Sequence, residues 1–410
     1  MTTATPPKGT GPLAKREARL AYGLLLPTII SVSLVVILPL LAIFWISFKP
    51  IGLADLRPPA PVVRESLRGS GEDLRIEYRI RNSSQEKAII DVVMTDVLPA
   101  EVTLRETEIE NCEIAGKTLT CRYDEFEPGF RTRINIPVDV ADEDAAEAAV
   151  EGSEPAMTGS SESILTNFDF TLENFARIFD GKEFLAVLWA TLFYTVVGTV
   201  GALLFGLFAA MLLNKSFRGQ GILRGLYLFP YVAPVIAVAF TWVILFDPFS
   251  GSANALLVQM GATDQAINFF GQRPLALIMV TVFEIWRYFP LSFLFILARM
   301  QSIDSDMYEA ADMDGASPFQ KFWYLSLPQL LGILSVLFLL RFIWTFNKFD
   351  DIFLLTGGNA GTRTLTVNVY EQAFAVSNIG AGAAVAVVIF CCLLLFSFLF
   401  FRYVSREEGL

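Results

Sequence analysis

The sequence predicts an α-helical polytopic membrane protein of six transmembrane helices, carrying a small all-β sandwich inserted on the extracytoplasmic side. Three observations predict it. The 410 residues are 54% hydrophobic and 13% aromatic with a mean hydropathy of +0.51, too apolar for a soluble protein of this length. Six apolar runs are each long enough, at 1.5 Å per residue, to cross roughly 30 Å of hydrocarbon. Between the first two runs the apolar period changes to two, the period of a half-buried strand.

The runs cover residues 21–48, 184–213, 226–246, 274–298, 327–346 and 379–401. Lys15, Arg16 and Arg19 precede the first, Lys215, Arg218 and Arg224 fill the loop between the second and third, and Arg402 and Arg406 follow the last. Because basic residues stay on the cytoplasmic side, residues 1–20 form a cytoplasmic segment and both termini are cytoplasmic. Residues 49–183 and 247–273 then lie outside, and the loop 302–328 inside. The first run lacks a small-residue cleavage site and is expected to remain as an anchor in a multi-pass membrane protein.

The formal net charge is −11. It is concentrated, because residues 51–165 hold 24 Asp and Glu against 12 Lys and Arg, a balance of −12. Histidine is absent, which removes His-based acid–base catalysis, His metal sites and Ser-His triads. No metal or cofactor is expected in this chain, and no nucleic-acid partner. Cys391 and Cys392 lie in an apolar run and read as packing residues, whereas Cys112 and Cys121 lie outside, where disulfides persist.

Within residues 49–165 the alternation is clearest in LRIEYRI, with Leu74, Ile76, Tyr78 and Ile80 on one face, and in RINIPVDV, with Ile134, Ile136, Val138 and Val140 on one face. AIIDVVMTDVLP, VTLRETEIENC and KTLTCRY supply further strands, giving six or seven over a core at 64–141. Cys112 and Cys121, nine apart across a predicted hairpin, are expected to be disulfide-linked. Residues 142–165 are acidic and then Ser/Gly-rich, and read as a flexible tether. The stretch from YRIRNSSQEK to YDEFEPGF resembles the immunoglobulin-like repeats of bacterial surface proteins of the DUF11 type, including their Cys pair and Pro-Gly turn. That resemblance implies an Ig-like fold without shared chemistry.

The cytoplasmic loop reads YEAADMDGASPFQKFWYLSLPQL. Asp306, three residues before Glu309, gives a helix-start pattern, and Gly315 supplies the positive-φ stop. Ser317, Pro318 and Gln320 then form a capping box for a second short helix, which Leu327-Pro328 is expected to turn into the next span. Two capped helices hinged on a glycine are more order than a connector needs.

The spacing of Glu309-Ala310-Ala311, Gly315 and Leu325-Ser326-Leu327-Pro328 resembles the EAA coupling loop of ABC importer permeases. FTLENFARIFDGKEF, LRGLYLFPYVAPVIAVAFTWVILFDP and FDDIFLLTGGNAGTRTLTVNVYEQAF resemble the carbohydrate branch of that family, the relatives of the larger maltose-importer membrane subunit. The resemblance covers about residues 12–49 and 166–406, the expected permease core. Asp304 stands where the family often has Pro, and the β domain between the first two helices is a second departure. The resemblance implies that Glu309, Ala310, Ala311, Gly315, Leu327 and Pro328 couple to a cytoplasmic ATPase. It also implies two ATPase subunits that bind ATP and Mg, a second permease subunit and an extracytoplasmic sugar-binding protein. The chain itself has no G-x-x-x-x-G-K-[ST] phosphate loop.

Charges at membrane depth face a bundle interior. Glu284 and Arg287, three apart on one helix, either neutralise each other or meet substrate. By the resemblance, the sugar-facing positions fall on Arg341, Thr345 and Lys348, spaced i, i+4, i+7. Trp344 and Asn347 add an aromatic face and a hydrogen-bonding amide suited to a sugar ring. The structural alternative pairs Arg341 and Lys348 with Asp350, Asp351 or Glu284. The reading is therefore a permease subunit importing a sugar or glycoside by alternating access, with an acidic sugar left open. An ion-driven secondary carrier, which would show internal repeats and broken helices, and an adhesive or sensory protein displaying the β domain are the alternatives.

Overall fold

The computed structural model describes residues 12–85, 87–105, 109–179, 181 and 183–403. Residues 1–11 of the N-terminal segment, residues 106–108 of an expected strand, and Arg406 lie outside them. The chain divides into two compact units, Met1–Pro50 with Thr171–Leu410, and Ile51–Phe170.

The helical unit opens with α1 (Pro12–Val32) and α2 (Leu38–Ser47), joined through a π turn at Ser33–Ile37. After the β unit, which contains α3 (Glu143–Glu151), come α4 (Glu173–Phe179), α5 (Phe184–Leu213), α6 (Gln220–Val232), α7 (Val235–Leu245), α8 (Ser252–Gln259) and α9 (Leu275–Gln301). They are followed by α10 (Ser305–Met313), α11 (Pro318–Lys321), α12 (Leu327–Phe346), α13 (Asp350–Thr356), α14 (Leu365–Tyr370) and α15 (Ile379–Tyr403). Among the described residues five helical stretches are long and apolar enough to cross a membrane: Arg16–Ser47, Phe184–Leu213, Leu275–Gln301, Pro318–Phe346 and Ile379–Tyr403.

The remaining run, 226–246, is not the straight span expected. It is the pair α6 and α7, bent by 89° at Ala233-Pro234. Proline forces the residue before it out of the α region, and Ala233 accordingly sits at φ −61°, ψ 143°. The count of six spans holds only if this bent pair is one of them.

The junction at Leu327-Pro328 also differs from the expected turn. A π turn at Phe322–Ser326 carries α11 straight into α12, with Leu327 N–H bonding the Phe322 carbonyl. The first rod repeats the device, since Leu38 N–H bonds Ser33 O immediately before Pro39. In both, a proline ring would strike the carbonyl four residues back in a regular helix, and one wider turn absorbs it. Helices α5 and α9 meet at glycine: a Cβ on Gly206 would lie 2.8 Å from the Phe293 backbone nitrogen, so only glycine permits this approach.

The β unit is a sandwich of two antiparallel sheets, β1-β2-β7-β4 and β5-β6-β3-β8. Its strands are β1 (Pro61–Arg68), β2 (Arg75–Asn82), β3 (Ile89–Val97), β4 (Val102–Leu104), β5 (Cys112–Ala115), β6 (Thr118–Phe126), β7 (Arg131–Val140) and β8 (Ala156–Ser160). Ile76, Tyr78, Ile80, Ile134, Ile136 and Val138 of one sheet bury against Ile89, Val92, Met94, Leu119 and Phe126 of the other. Cys112 and Cys121 stand directly opposite in the β5–β6 register and form a disulfide, their Cα atoms 4.0 Å apart.

The acidic tether is corrected. Asp142 caps α3 by accepting from the Asp144 and Ala145 N–H groups, and Ala146 and Val150, four apart on one face, bury in the sandwich core. The chain then returns as β8 along β3, pairing Thr95 with Ala156 and Met94 with Met157. Composition concealed this because the acids occupy only the solvated face of an amphipathic helix.

Candidate functional site

Glu284 of α9 is 1% exposed and collects three donors from two neighbouring helices. Arg341 of α12 donates from Nη2 to its Oε1 at 2.7 Å, Thr345 of α12 donates to the same oxygen at 3.0 Å, and Tyr194 of α5 donates to Oε2 at 3.0 Å. Gly198 makes room for this, since a Cβ there would come within 3.0 Å of Glu284 Cγ. A buried carboxylate is costly unless paired and hydrogen-bonded. Here it is both.

Arg287 does not pair with Glu284, which corrects one expected arrangement. Its Nη1 donates to Pro230 O at 3.2 Å and its Nη2 to Ala233 O at 3.1 Å. The physical reason lies in the break between α6 and α7. In an unbroken helix the residue-234 N–H would satisfy the Pro230 carbonyl, but Pro234 has no N–H. Arg287 supplies the missing donor.

Tyr288 ties the two parts together. The Arg341 guanidinium lies 4.7 Å from its ring centroid and the Lys348 ammonium 4.3 Å. Lys348 Nζ also donates to the Tyr288 hydroxyl and stands 3.6 Å from Asp350 and 3.8 Å from Asp351. Asp351 is wholly buried. Arg341, Thr345 and Lys348 thus converge, whereas Trp344 is 53% exposed and Asn347 bonds its own helix at Ile343 O. Neither of the latter two joins the cluster. The pairing of Arg341 with Glu284 and of Lys348 with Asp350 and Asp351 is the structural alternative the sequence offered. Sequence reasoning missed Tyr194, Tyr288 and Gly198, although Tyr288 follows Arg287 directly and Tyr194 is a polar ring four residues before a glycine in an apolar run.

The loop of short helices is a second site. Asp304, not Asp306, caps α10 by accepting from the Asp306 N–H at 3.0 Å. Gly315 has φ +76° and Ala316 N–H bonds Ala311 O at 2.9 Å, closing the helix end. Ser317 and Gln320 form the reciprocal capping box. Lys321 bridges to Asp312 at 2.6 Å and Tyr308 bonds Ser326 at 2.9 Å, so the two short helices are braced together. Glu309 and Ala310 are exposed, with Met313 and Phe319 beside them 88% and 71% exposed, a surface that combines one acid, small residues and apolar side chains.

Residues 202–408 match the family described as binding-protein-dependent transport system inner membrane component. The chain belongs to this family. The matched part of the permease takes in the loop, Glu284, Tyr288 and Arg341, and none of the β unit. The permease is 37% identical over 220 residues to the inner membrane ABC transporter permease protein YcjO of Escherichia coli (strain K12), covering 53% of this chain and 74% of that one. It is 31% identical over 232 residues to the trehalose/maltose transport system permease protein MalF of Thermococcus litoralis, covering 56% and 78%. A crystal structure of a bacterial ABC transporter involved in the import of the acidic polysaccharide alginate shares the fold, with a TM-score of 0.53 at 19% identity over 58% of this chain and 86% of that chain.

Proposed function

We propose that this permease imports a neutral sugar or glycoside by alternating access, driven by two separate cytoplasmic ATPase subunits that bind ATP and Mg. A second permease subunit and an extracytoplasmic sugar-binding protein complete the assembly, in the inner membrane with both termini cytoplasmic. The braced pair α10 and α11 carries the coupling reading. Its exposed Glu309, Ala310, Met313 and Phe319 offer a rigid surface to a partner, and the Arg299 guanidinium, 3.1 Å from Gln329 O, ties the end of α9 to α12. Force on the loop is thereby passed to both helices that hold the Glu284 cluster.

The substrate class follows from charge balance. Glu284 is compensated by Arg341, while Lys348 faces both Asp350 and Asp351, so the cluster presents hydrogen-bonding groups and the Tyr288 ring with no cation left over for an anionic substrate. That suits a polyhydroxylated neutral solute better than an acidic one. The relative named as a trehalose/maltose permease agrees in class. The inserted sandwich is read as an Ig-like spacer domain on the extracytoplasmic side.

The test is reconstitution in liposomes with the partner ATPase, second permease and binding protein, followed by uptake of maltose, trehalose and galacturonate. ATP-dependent uptake of a neutral disaccharide supports the reading. Uptake without ATP, or of galacturonate alone, overturns it.

A further inference from the structure

One sheet of the β unit carries a concentration of arginine that its overall acidity conceals. In the register of β1, β2 and β7, Arg64 stands opposite Arg79, and Arg79 opposite Arg133. On the next outward rung Arg81 faces Arg131, and towards the other end Arg68 faces Arg75. These seven are all exposed. Within this register the outward acid is Glu77, which accepts from Arg79 at 2.5 Å and lies 3.9 Å from Arg133. Among the described residues, Arg64, Arg81 and Arg131 meet no carboxylate within 4.0 Å.

Like charges directly opposite across two strands destabilise a sheet. This sheet stacks three such charges in one row, in a segment with 24 acids available to relieve them. Such an arrangement opposes folding and favours an anion.

We propose that this face binds a linear polyanionic glycan whose sugar units carry carboxylates, held by Arg64, Arg79, Arg81, Arg131 and Arg133. Every cation on it is a guanidinium, the group whose planar fork takes a carboxylate through two parallel hydrogen bonds. Rows lie about 4.8 Å apart across strands, and same-face positions about 6.7 Å apart along them. Five arginines therefore cover a strip too long for one small anion. They border a shallow hollow of about 760 Å³ together with Val62 and Thr132. The outward positions of β1, β2 and β7 carry no aromatic side chain, so the face lacks the apolar core of a protein interface and offers charge alone. The inference goes beyond the transport reading and depends only on the geometry of the β unit.

The experiment uses the full-length protein in detergent, with hexagalacturonate as probe and maltohexaose as neutral control, titrated at low and moderate salt. Wild type binds hexagalacturonate with an affinity that falls as salt rises, and maltohexaose does not bind. R64Q/R79Q/R133Q weakens binding at least tenfold and flattens the salt dependence, since fewer counterions are displaced. Losing Arg79 and Arg133 strands Glu77 and lowers the variant's thermal stability. R64Q/R81Q/R131Q, whose arginines meet no carboxylate within 4.0 Å among the described residues, is therefore measured beside it and weakens binding at least tenfold with thermal stability unchanged. Arg122→Gln, on the opposite sheet, binds as wild type. The proposal is overturned if either triple variant binds as wild type, if maltohexaose binds equally, or if phosphatidylglycerol vesicles bind while hexagalacturonate does not.

Discussion

Arg287 donates to the carbonyl oxygen of Pro230, 3.2 Å away, the one carbonyl in α6 whose own helical donor is replaced by Pro234. The bend and the arginine are thus two halves of one feature. Proline at 234 frees the carbonyl, and the bundle returns a donor from a different helix at a depth where water cannot.

Replacing Arg287 with Met leaves the Pro230 and Ala233 carbonyls without partners. Each orphaned group costs about 1–3 kcal/mol in a water-poor setting. The variant is expected to melt several degrees lower in detergent, with Arg287→Lys intermediate because an ammonium reaches one carbonyl but not both. A melting curve unchanged in the Met variant would show that the break needs no donor.

The Glu284–Arg341 pair predicts non-additive losses. Removing one partner strands the other charge, at about 3–5 kcal/mol, whereas removing both with apolar or amide replacements is close to neutral. Glu284→Gln and Arg341→Met should each lower stability strongly, and the double variant should recover much of it. A double-mutant cycle on thermal or chemical unfolding checks this. Simple addition of the two losses would mean that the two side chains act independently.

In the loop, a Cβ on Gly315 would meet no atom within 4 Å, so substitution there acts through its φ of +76° alone. Valine in that region costs about 1–2 kcal/mol of local strain, and asparagine much less. Gly315→Val is expected to leave membrane insertion intact while reducing ATPase co-purification and uptake, with Gly315→Asn near wild type. Glu309→Lys should give the same uncoupling by reversing an exposed charge. Full uptake in both Gly315→Val and Glu309→Lys would remove the coupling role.

The β unit carries a pH dependence. Burial, and then the neighbouring Asp96 carboxylate, push the Glu65 carboxyl up to about 7 from its ordinary 4.5. Asp96 takes the available donors, accepting from the Tyr78 hydroxyl and from Ser153 at 3.1 Å. A carboxyl raised on folding holds its proton more tightly in the folded state, so stability falls as pH rises from about 4.5 through about 7. Glu65 is only half-buried, and after allowance for solvent screening the effect is on the order of 1–2 kcal/mol. Glu65→Gln should therefore stabilise the sandwich at pH 8 and change little at pH 5. Equal effects at both pH values would place the proton elsewhere.

What the sequence determined by itself is everything set by near neighbours along the chain. The apolar runs report the membrane because hydrocarbon thickness sets their length. Ser317, Gln320 and Gly315 report their caps because both partners of each bond lie within a few residues. The alternation of Ile76, Tyr78 and Ile80 reports a sandwich face because strand period needs no third dimension. Helical periodicity also placed Arg341 and Thr345 on one face. It could not say which carboxylate they meet.

Tertiary structure decided the rest. Glu284 has Arg287 one turn away, yet pairs with Arg341, fifty-seven residues on, because the rotation of α9 against α5 and α12 sets which direction each side chain faces. That rotation depends on close contact at Gly198 and Gly206, which no single-helix pattern contains. Residues 142–165 read as a polar tether because buried side chains such as Ala146 and Val150 are few among them; only the open edge of β3 and the core beneath Val150 make a helix and strand of their first part. In each case the deciding energy is desolvation against a distant surface. Local sequence carries no record of which surface that will be.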